Sequence, residues 1–156
     1  MSRLFVVTGA PGSGKSTVVP ELLRLSAGGL VVMDMDELLD DGKLLGITIA
    51  DSAAAAHWPA YNLLWLRITE LVRRSGVPVL LLGPLTPSEL PEGRWLHLDC
   101  PDAVRRTRLA ARGWSEAQVE DALDDAVELR TLVPRSVHGA GTPEDSAREI
   151  LTWVKE

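Results

Sequence analysis

The strongest chemical pattern in this sequence is a glycine-rich run at residues 9–17, directly after a short apolar stretch. It fits G-x-x-x-x-G-K-[ST], a pattern whose backbone N–H groups curl inward and form a nest for phosphate oxygens. In that pattern Lys15 reaches the terminal phosphates, and the Ser16 hydroxyl is placed to bind Mg²⁺. We therefore predict a nucleotide phosphate site made by Gly9, Ala10, Pro11, Gly12, Ser13, Gly14, Lys15, Ser16 and Thr17.

Two acidic residues follow the next apolar run and are two positions apart. Asp34 and Asp36 come just after the apolar residues 31–33, and open α/β sheets bind ligands at the carboxyl ends of their strands. If extended geometry continues through both residues, their side chains point into the same cleft. The alternative is that they cap a following helix, which is a common role for Asp.

A third group is a cluster of arginines at residues 105–112. Arg105, Arg108 and Arg112 share one face of a predicted helix by their spacing. Guanidinium groups neutralise the charge that develops on a transferred phosphoryl group, and we expect Arg108 and Arg112 to have this role. The alternative is a solvated helix face whose arginines pair with the acids that recur downstream at Glu116, Glu120, Asp124 and Glu128.

The elements that must position these groups alternate along the chain. Short apolar runs predict strands at residues 4–8, 30–33, 77–82, 95–99 and 135–138. Longer amphipathic stretches predict helices at residues 15–25, 52–74, 102–112, 115–132 and 143–154, and Ser115 and Thr142 are the expected N-caps of the last two. This alternation is typical of an α/β fold with three layers, in which helices cover both faces of a five-stranded parallel sheet.

Length and composition limit the remaining possibilities. The chain has 156 residues, a net charge of −6 and one cysteine, which favours a single domain over residues 1–156 without a disulfide framework. The acidic balance argues against a nucleic-acid partner. No apolar run approaches the roughly 20 residues that span a bilayer. We expect a cytoplasmic monomer or homodimer that does not associate with membranes.

These motifs resemble those of the small P-loop kinases, a group that includes shikimate kinase, gluconate kinase, chloramphenicol phosphotransferase and the nucleoside monophosphate kinases. The resemblance is carried by residues 9–17, by Asp34-Met35-Asp36 and by residues 99–112. It implies the P-loop NTPase fold with strand order 2-3-1-4-5, ATP and Mg²⁺ as cofactors, and a short lid around residues 105–130. It also implies that Asp34 supports Mg²⁺ and that Asp36 is the base or positioning residue for the acceptor hydroxyl.

The implied function is that of an ATP-dependent kinase that transfers the γ-phosphoryl group to a hydroxyl of a small-molecule acceptor. The third predicted strand is not followed by the Asp-Gly-(Phe/Tyr)-Pro-Arg run of adenylate kinase-like enzymes. This favours an acceptor without a phosphate, unless Arg67 or Arg94 replaces the missing arginine. Two alternatives stay open, a nucleoside monophosphate kinase and an ATP-binding sensor or partner protein that transfers no phosphate.

The predicted helix 52–74 carries an aromatic stripe. Trp58, Tyr61 and Trp65 share one face at spacings of three and four. In the resembling kinases this region forms the acceptor site, but stripes at helical spacing usually belong to the core, and we expect the core here. His57 and Asn62 are the expected polar contacts with an acceptor.

Three further features have weaker signals. His97 in the fourth predicted strand is expected to be a core histidine with its hydrogen bonds satisfied. Arg130 is a further candidate for the lid, with a structural role equally open. The small residues at 137–143 are expected, by the resemblance, to contact adenine through the backbone.

Overall fold

The computed structural model describes the whole chain, residues Met1–Glu156. Its strands in chain order are β1 (Leu4–Thr8), β2 (Val31–Asp34), β3 (Lys43–Leu44), β4 (Ile47–Thr48), β5 (Val79–Leu82), β6 (Arg94–Asp99) and β7 (Ser136–His138). Five strands form a parallel sheet of order β2-β5-β1-β6-β7, while β3 and β4 form a separate antiparallel hairpin. Numbered within the sheet alone the order is 2-3-1-4-5, and the predicted α/β fold is confirmed.

The helices are α1 (Lys15–Leu25), α2 (Trp58–Arg74), α3 (Asp102–Ala111), α4 (Glu116–Leu132) and α5 (Pro143–Lys155). The predicted helix 52–74 is divided, because Ser52–His57 forms a 3₁₀ helix and Pro59 lies in the first turn of α2, where proline is well accommodated. Both predicted N-caps are confirmed, and at Ser115 the reciprocal hydrogen bonds of a capping box are present. None of the helices combines the length and the apolar character needed to cross a membrane.

The sheet has an apolar core on each face because successive strand residues point to opposite sides. Phe5 and Val7 of β1 pack against α1 and α5 on one face. Leu4 and Val6 pack on the other face, where α2 contributes Tyr61. The result is the predicted three-layer arrangement, with the carboxyl ends of all five parallel strands at one edge.

The hairpin of β3 and β4 is absent from the sequence prediction. Its two-residue turn, Leu45-Gly46, has φ angles of 49° and 85°, the left-handed pair that joins twisted strands in a tight hairpin. Leucine rarely adopts this conformation, so position 45 carries none of the usual Asn or Asp signal. The Leu45 side chain is 96% exposed at the tip.

Candidate active site

The phosphate loop, residues 9–17, leaves β1 and enters α1. Its backbone is left-handed at Gly12 and Gly14, with φ of 81° and 100°. Gly9 is required for a different reason, because a Cβ there would lie 2.6 Å from Ser13 Oγ and 2.7 Å from the Leu98 carbonyl oxygen. The glycines of the motif therefore serve both the tight turn and the close packing against β6.

The loop and the first turn of α1 present backbone N–H groups that have no partner in the main chain. The amides of Gly12, Gly14, Lys15 and Ser16 donate to no backbone carbonyl, and no side chain caps the helix. Unpaired amides at a helix N-terminus carry partial positive charge and attract anions. This segment therefore fits the polyphosphate of a nucleotide.

The ammonium of Lys15 folds back onto the loop. Lys15 Nζ donates to the Gly9 carbonyl and lies 3.3 Å from the Ala10 carbonyl oxygen and 3.4 Å from Ser13 Oγ. Burial lowers the pKa of Lys15 from 10.5 to about 8, although the two carboxylates that follow β2 act in the opposite direction. The cation of the loop and these acids thus form one electrostatic unit at the carboxyl edge of the sheet.

Nucleotide binding is expected to take up protons at the pH where Lys15 is partly neutral. A polyphosphate beside the ammonium favours its charged form and raises its pKa. From a free-state pKa of about 8, Lys15 is expected to take up roughly 0.7 proton per nucleotide at pH 8.5, where the nucleotide itself is fully ionised, and to contribute almost no uptake at pH 6.5. Affinity therefore weakens as the pH rises above this pKa. Calorimetric titration with ATP in buffers of different ionisation enthalpy measures the uptake.

Lys15→Arg is the matched control for this experiment. A guanidinium stays charged throughout this pH range, so the variant keeps a cation in the loop but has no proton to gain. The role of Lys15 would be contradicted if the wild-type protein took up no proton at pH 8.5, or if Lys15→Arg took up as many protons as the wild type.

Asp34 ends β2, and Asp36 lies in the turn over residues 35–38. The condition under which both side chains would point into the same cleft, extended geometry through both residues, is not met, because the chain turns and Asp34 Oδ1 accepts the Asp36 N–H at 3.0 Å. The helix-cap alternative is also wrong, since no helix begins here, and Asp34 stabilises a turn instead. Asp34 is buried and Asp36 is exposed, so the two carboxylates have different environments.

The environment of Asp34 suits a cation. Burial raises the pKa of its carboxyl, and the charges of Asp36 and Glu37 raise it further, while the backbone hydrogen bond from Asp36 and the charge of Lys15 lower it without offsetting the rise. A nearby cation relieves both effects. The Asp34 carboxylate and the exposed hydroxyl of Ser16 at the start of α1 are oxygen groups of the kind that Mg²⁺ prefers.

Arg108 of α3 and Arg112, directly after this helix, line one cleft of about 440 Å³ together with the phosphate loop. Arg108 donates to the Gly12 carbonyl at 3.0 Å and to the Gly139 carbonyl at 2.6 Å, so it bridges the loop and the segment after β7. Cys100 Sγ also donates to the Gly12 carbonyl, at 3.5 Å. Gly139, Gly141 and Pro143 of the segment 137–143 also line this cleft, and the expected contact of this segment with adenine stays a prediction.

The alternative for the arginine cluster, ion pairing with the acids of α4, applies to Arg106. This side chain binds Glu116 at 3.1 Å and Glu120 at 2.6 Å, with 45% of its own surface exposed. Exposed pairs of this kind contribute less than about 1 kcal/mol. Arg108 bonds to backbone carbonyls instead, so the two readings of the cluster describe different faces of α3.

Asp99 at the end of β6 binds two arginines that sequence analysis did not connect to it. Arg105 Nη2 lies 2.8 Å from Oδ1, and Arg130 Nε lies 2.7 Å from Oδ2. Arg130 also binds Asp102 at 2.8 Å, so its structural role is the one observed. The only sequence signal for Arg105 was its spacing of three from Arg108.

The aromatic stripe is divided between the core and the surface. Tyr61 and Trp65 are buried, as predicted, and the Tyr61 hydroxyl donates to the Met35 carbonyl next to the acidic turn. Trp58 is 42% exposed, so its assignment to the core is wrong. Its indole Nε1 donates to the Ile49 carbonyl at 2.9 Å and ties α2 to the segment after the hairpin.

His57 and Asn62, the predicted polar contacts with an acceptor, have different surroundings. His57 is exposed at the end of the 3₁₀ helix. Asn62 Nδ2 donates to Glu89 Oε1 at 2.8 Å, so its amide is already engaged.

His97 lies in the core, but neither ring nitrogen has a partner, and the expectation of satisfied hydrogen bonds is wrong. Burial lowers its pKa and keeps the ring neutral.

The sheet order, the glycine loop and the lysine at its end define a nucleotide-binding α/β protein of the P-loop class. The chain belongs to the AAA domain family, whose sequence model matches residues 6–129. Among curated proteins, none matches the chain.

Similar solved structures are small kinases and a resistance protein. Shikimate kinase from Acinetobacter baumannii has a TM-score of 0.68 at 20% identity, over 99% of this chain and 94% of that one. The tunicamycin resistance protein of Deinococcus radiodurans has a TM-score of 0.72 at 21% identity, over 99% and 96%. A gluconokinase from Sinorhizobium meliloti 1021 has a TM-score of 0.63 at 21% identity, over 99% and 91%. The fold is therefore that of the small P-loop kinases.

Proposed function

We propose that this chain is an ATP-dependent kinase that transfers the γ-phosphoryl group to a hydroxyl of a small-molecule acceptor. The observation that carries the proposal is the combination of unpaired loop amides, the Lys15 ammonium and two acids at one edge of the sheet. Kinases with this fold but different acceptors support the reaction class. They leave the acceptor of this chain open.

Each group has a distinct role in this reaction. The loop amides and Lys15 hold the phosphates, and the guanidinium groups of Arg108 and Arg112 neutralise the charge of the transferred group. The acceptor oxygen forms a bond to the γ-phosphorus, the bond to the bridging oxygen breaks, and ADP leaves. Asp36, whose carboxylate is exposed at the same edge, orients the acceptor hydroxyl and takes its proton.

Ser16 and Asp34 are the residues that would hold Mg²⁺. When bound, the ion neutralises charge on the β- and γ-phosphates. The negative charges of Asp36 and Glu37, which raise the pKa of Asp34, are the feature of this chain that supports the assignment.

The positions of two arginines support an acceptor without a phosphate. Arg94 begins β6, at the edge opposite to the phosphate loop, and lies over the rings of Phe5 and Trp153 at 5.4 and 5.5 Å. Arg67 lines a separate cleft on α2. Neither therefore replaces the arginine that holds an acceptor phosphate in adenylate kinase-like enzymes, and a neutral or carboxylated hydroxyl compound is favoured.

An acceptor screen that follows ADP release, combined with Asp36→Asn, tests the proposal. Hydroxylated acids, sugars and nucleosides are expected to include a compound that stimulates turnover, while nucleoside monophosphates are not. With that compound, Asp36→Asn is expected to lower kcat about 100-fold, because the amide accepts no proton. KM for ATP should change little, since the phosphate loop is intact.

Asp41→Asn is the control for the charge. Asp41 is exposed on the approach to the hairpin, and its left-handed backbone, with φ of 48°, is compatible with asparagine. Full activity of Asp36→Asn would remove its proposed role. Stimulation by a nucleoside monophosphate would favour a nucleoside monophosphate kinase, and ATP binding without stimulation by any acceptor would favour a sensor.

A further inference from the structure

Arg105 is the fully buried arginine of the cluster, with 0% of its surface exposed. Its Nη1 lies 2.6 Å from the Pro11 carbonyl oxygen and 3.2 Å from that of Ala10, and its Nη2 lies 2.8 Å from Asp99 Oδ1. These bonds satisfy both Nη atoms, whereas Nε has no partner, and a buried guanidinium depends on such partners to offset the cost of its burial. This side chain therefore connects the phosphate loop to the end of β6.

The contact with Pro11 sets the orientation of one peptide unit. The Pro11 carbonyl and the Gly12 N–H belong to the same trans peptide, in which C=O and N–H point in opposite directions. Because Arg105 holds the carbonyl, the Gly12 N–H is directed to the other side, where no backbone carbonyl accepts it. A Cβ at position 12 would lie 3.2 Å from Arg105 Cγ, so the stem of the arginine packs directly against this glycine.

We propose that Arg105 is a positioning residue for the nucleotide, which holds the peptide between residues 11 and 12 so that the Gly12 N–H faces the phosphates. Asp99 fixes the guanidinium and is itself held by the Cys100 N–H at 2.8 Å. Arg105 acts through the loop and does not touch the nucleotide. The inference rests on the proposed function to the extent that the loop must bind phosphate.

The test compares Arg105→Met with Arg130→Met. Each variant removes one arginine from Asp99 and leaves the other, so the carboxylate keeps a partner, but only Arg105 contacts the loop. Dissociation constants are measured by calorimetry for ATP with Mg²⁺ and for inorganic tripolyphosphate, and the free energy of unfolding is measured for each variant. Arg105→Met is expected to weaken both ligands at least tenfold, whereas Arg130→Met stays within about threefold.

Wild-type affinity in Arg105→Met would overturn the proposal. An equal loss of affinity in both variants, at similar free energies of unfolding, would also overturn it, because the effect would then not depend on the contact of Arg105 with the loop. If Arg105→Met does not fold, Arg105→Lys keeps the charge but lacks the planar fork that spans the carbonyl and the carboxylate. Several-fold weaker binding is expected in that variant, and unchanged binding would overturn the proposal.

Failure of the proposed function has a different signature. In that case the wild-type protein does not bind tripolyphosphate, or Lys15→Ala binds it as tightly as the wild type does.

Discussion

Lys15→Ala is expected to lower kcat/KM of the proposed phosphotransfer roughly 10²–10³-fold. The ammonium is partly buried and bonded to the loop carbonyls, so it is oriented before the nucleotide binds. Charges that are positioned in advance in a partly desolvated site stabilise a transition state more than mobile charges in water. Removing Lys15 also removes the cation that opposes the charges of the acids after β2, and the remaining repulsion between these acids and the phosphates weakens ATP binding.

The measurement is ATP affinity by calorimetry together with turnover of the acceptor found in the screen. Lys155→Ala is the control, because it removes an equal charge from the exposed end of α5, away from the loop. Unchanged affinity and turnover in Lys15→Ala would refute the assignment of residues 9–17 as the phosphate site.

The second large effect is on stability, since Asp99→Ala is expected to reduce the free energy of unfolding by about 3–5 kcal/mol. The carboxylate accepts hydrogen bonds from Arg105, Arg130 and the Cys100 amide. Without it, the guanidinium of Arg105 is buried with only carbonyl partners. Urea unfolding of both proteins at neutral pH measures the loss.

Asp102→Ala is the matched control, because Asp102 also binds Arg130 but is 51% exposed. Asp102→Ala is expected to lower the free energy of unfolding by less than about 1 kcal/mol. An equally small effect of Asp99→Ala would show that the buried cluster contributes no net stability.

The same carboxylate predicts the direction of the pH dependence. Burial alone would raise the pKa of Asp99, but the hydrogen bonds from Arg130 and the Cys100 amide outweigh it and hold the pKa below its usual 3.8. The unfolded chain therefore takes up this proton first as the pH falls. The contribution of Asp99 is fully present above the unfolded pKa and is lost as the pH drops through the folded pKa.

Local signals were sufficient for most of the fold. The apolar run at 4–8 and the glycine loop predicted β1 and the start of α1 with the observed boundaries, because strand, turn and helix chemistry agree within a few residues of one another. The caps at Ser115 and Thr142 were predictable for the same reason. The hairpin was not, because Leu45 gives no turn signal.

Long-range features of the site could not be predicted. Asp99 and Arg130 are 31 positions apart and meet only because α4 packs back toward β6. The difference between buried Arg105 and exposed Arg106 depends on how α3 docks on the loop, and helical spacing alone does not determine it. The turn after Asp34 could not be predicted either, because the apolar run at 31–33 does not show whether the chain stays extended through Asp36.

The contact between Cys100 and the Gly12 carbonyl makes this thiol an intrinsic probe of structural opening at the phosphate loop. Cys100 is the only cysteine of the chain and is buried under the phosphate loop, and burial raises the pKa of its thiol and slows its reaction with alkylating agents. A reagent reaches this sulfur when the structure opens around it. The rate of alkylation therefore measures how often the structure opens around this one sulfur atom, and the natural sequence needs no added label.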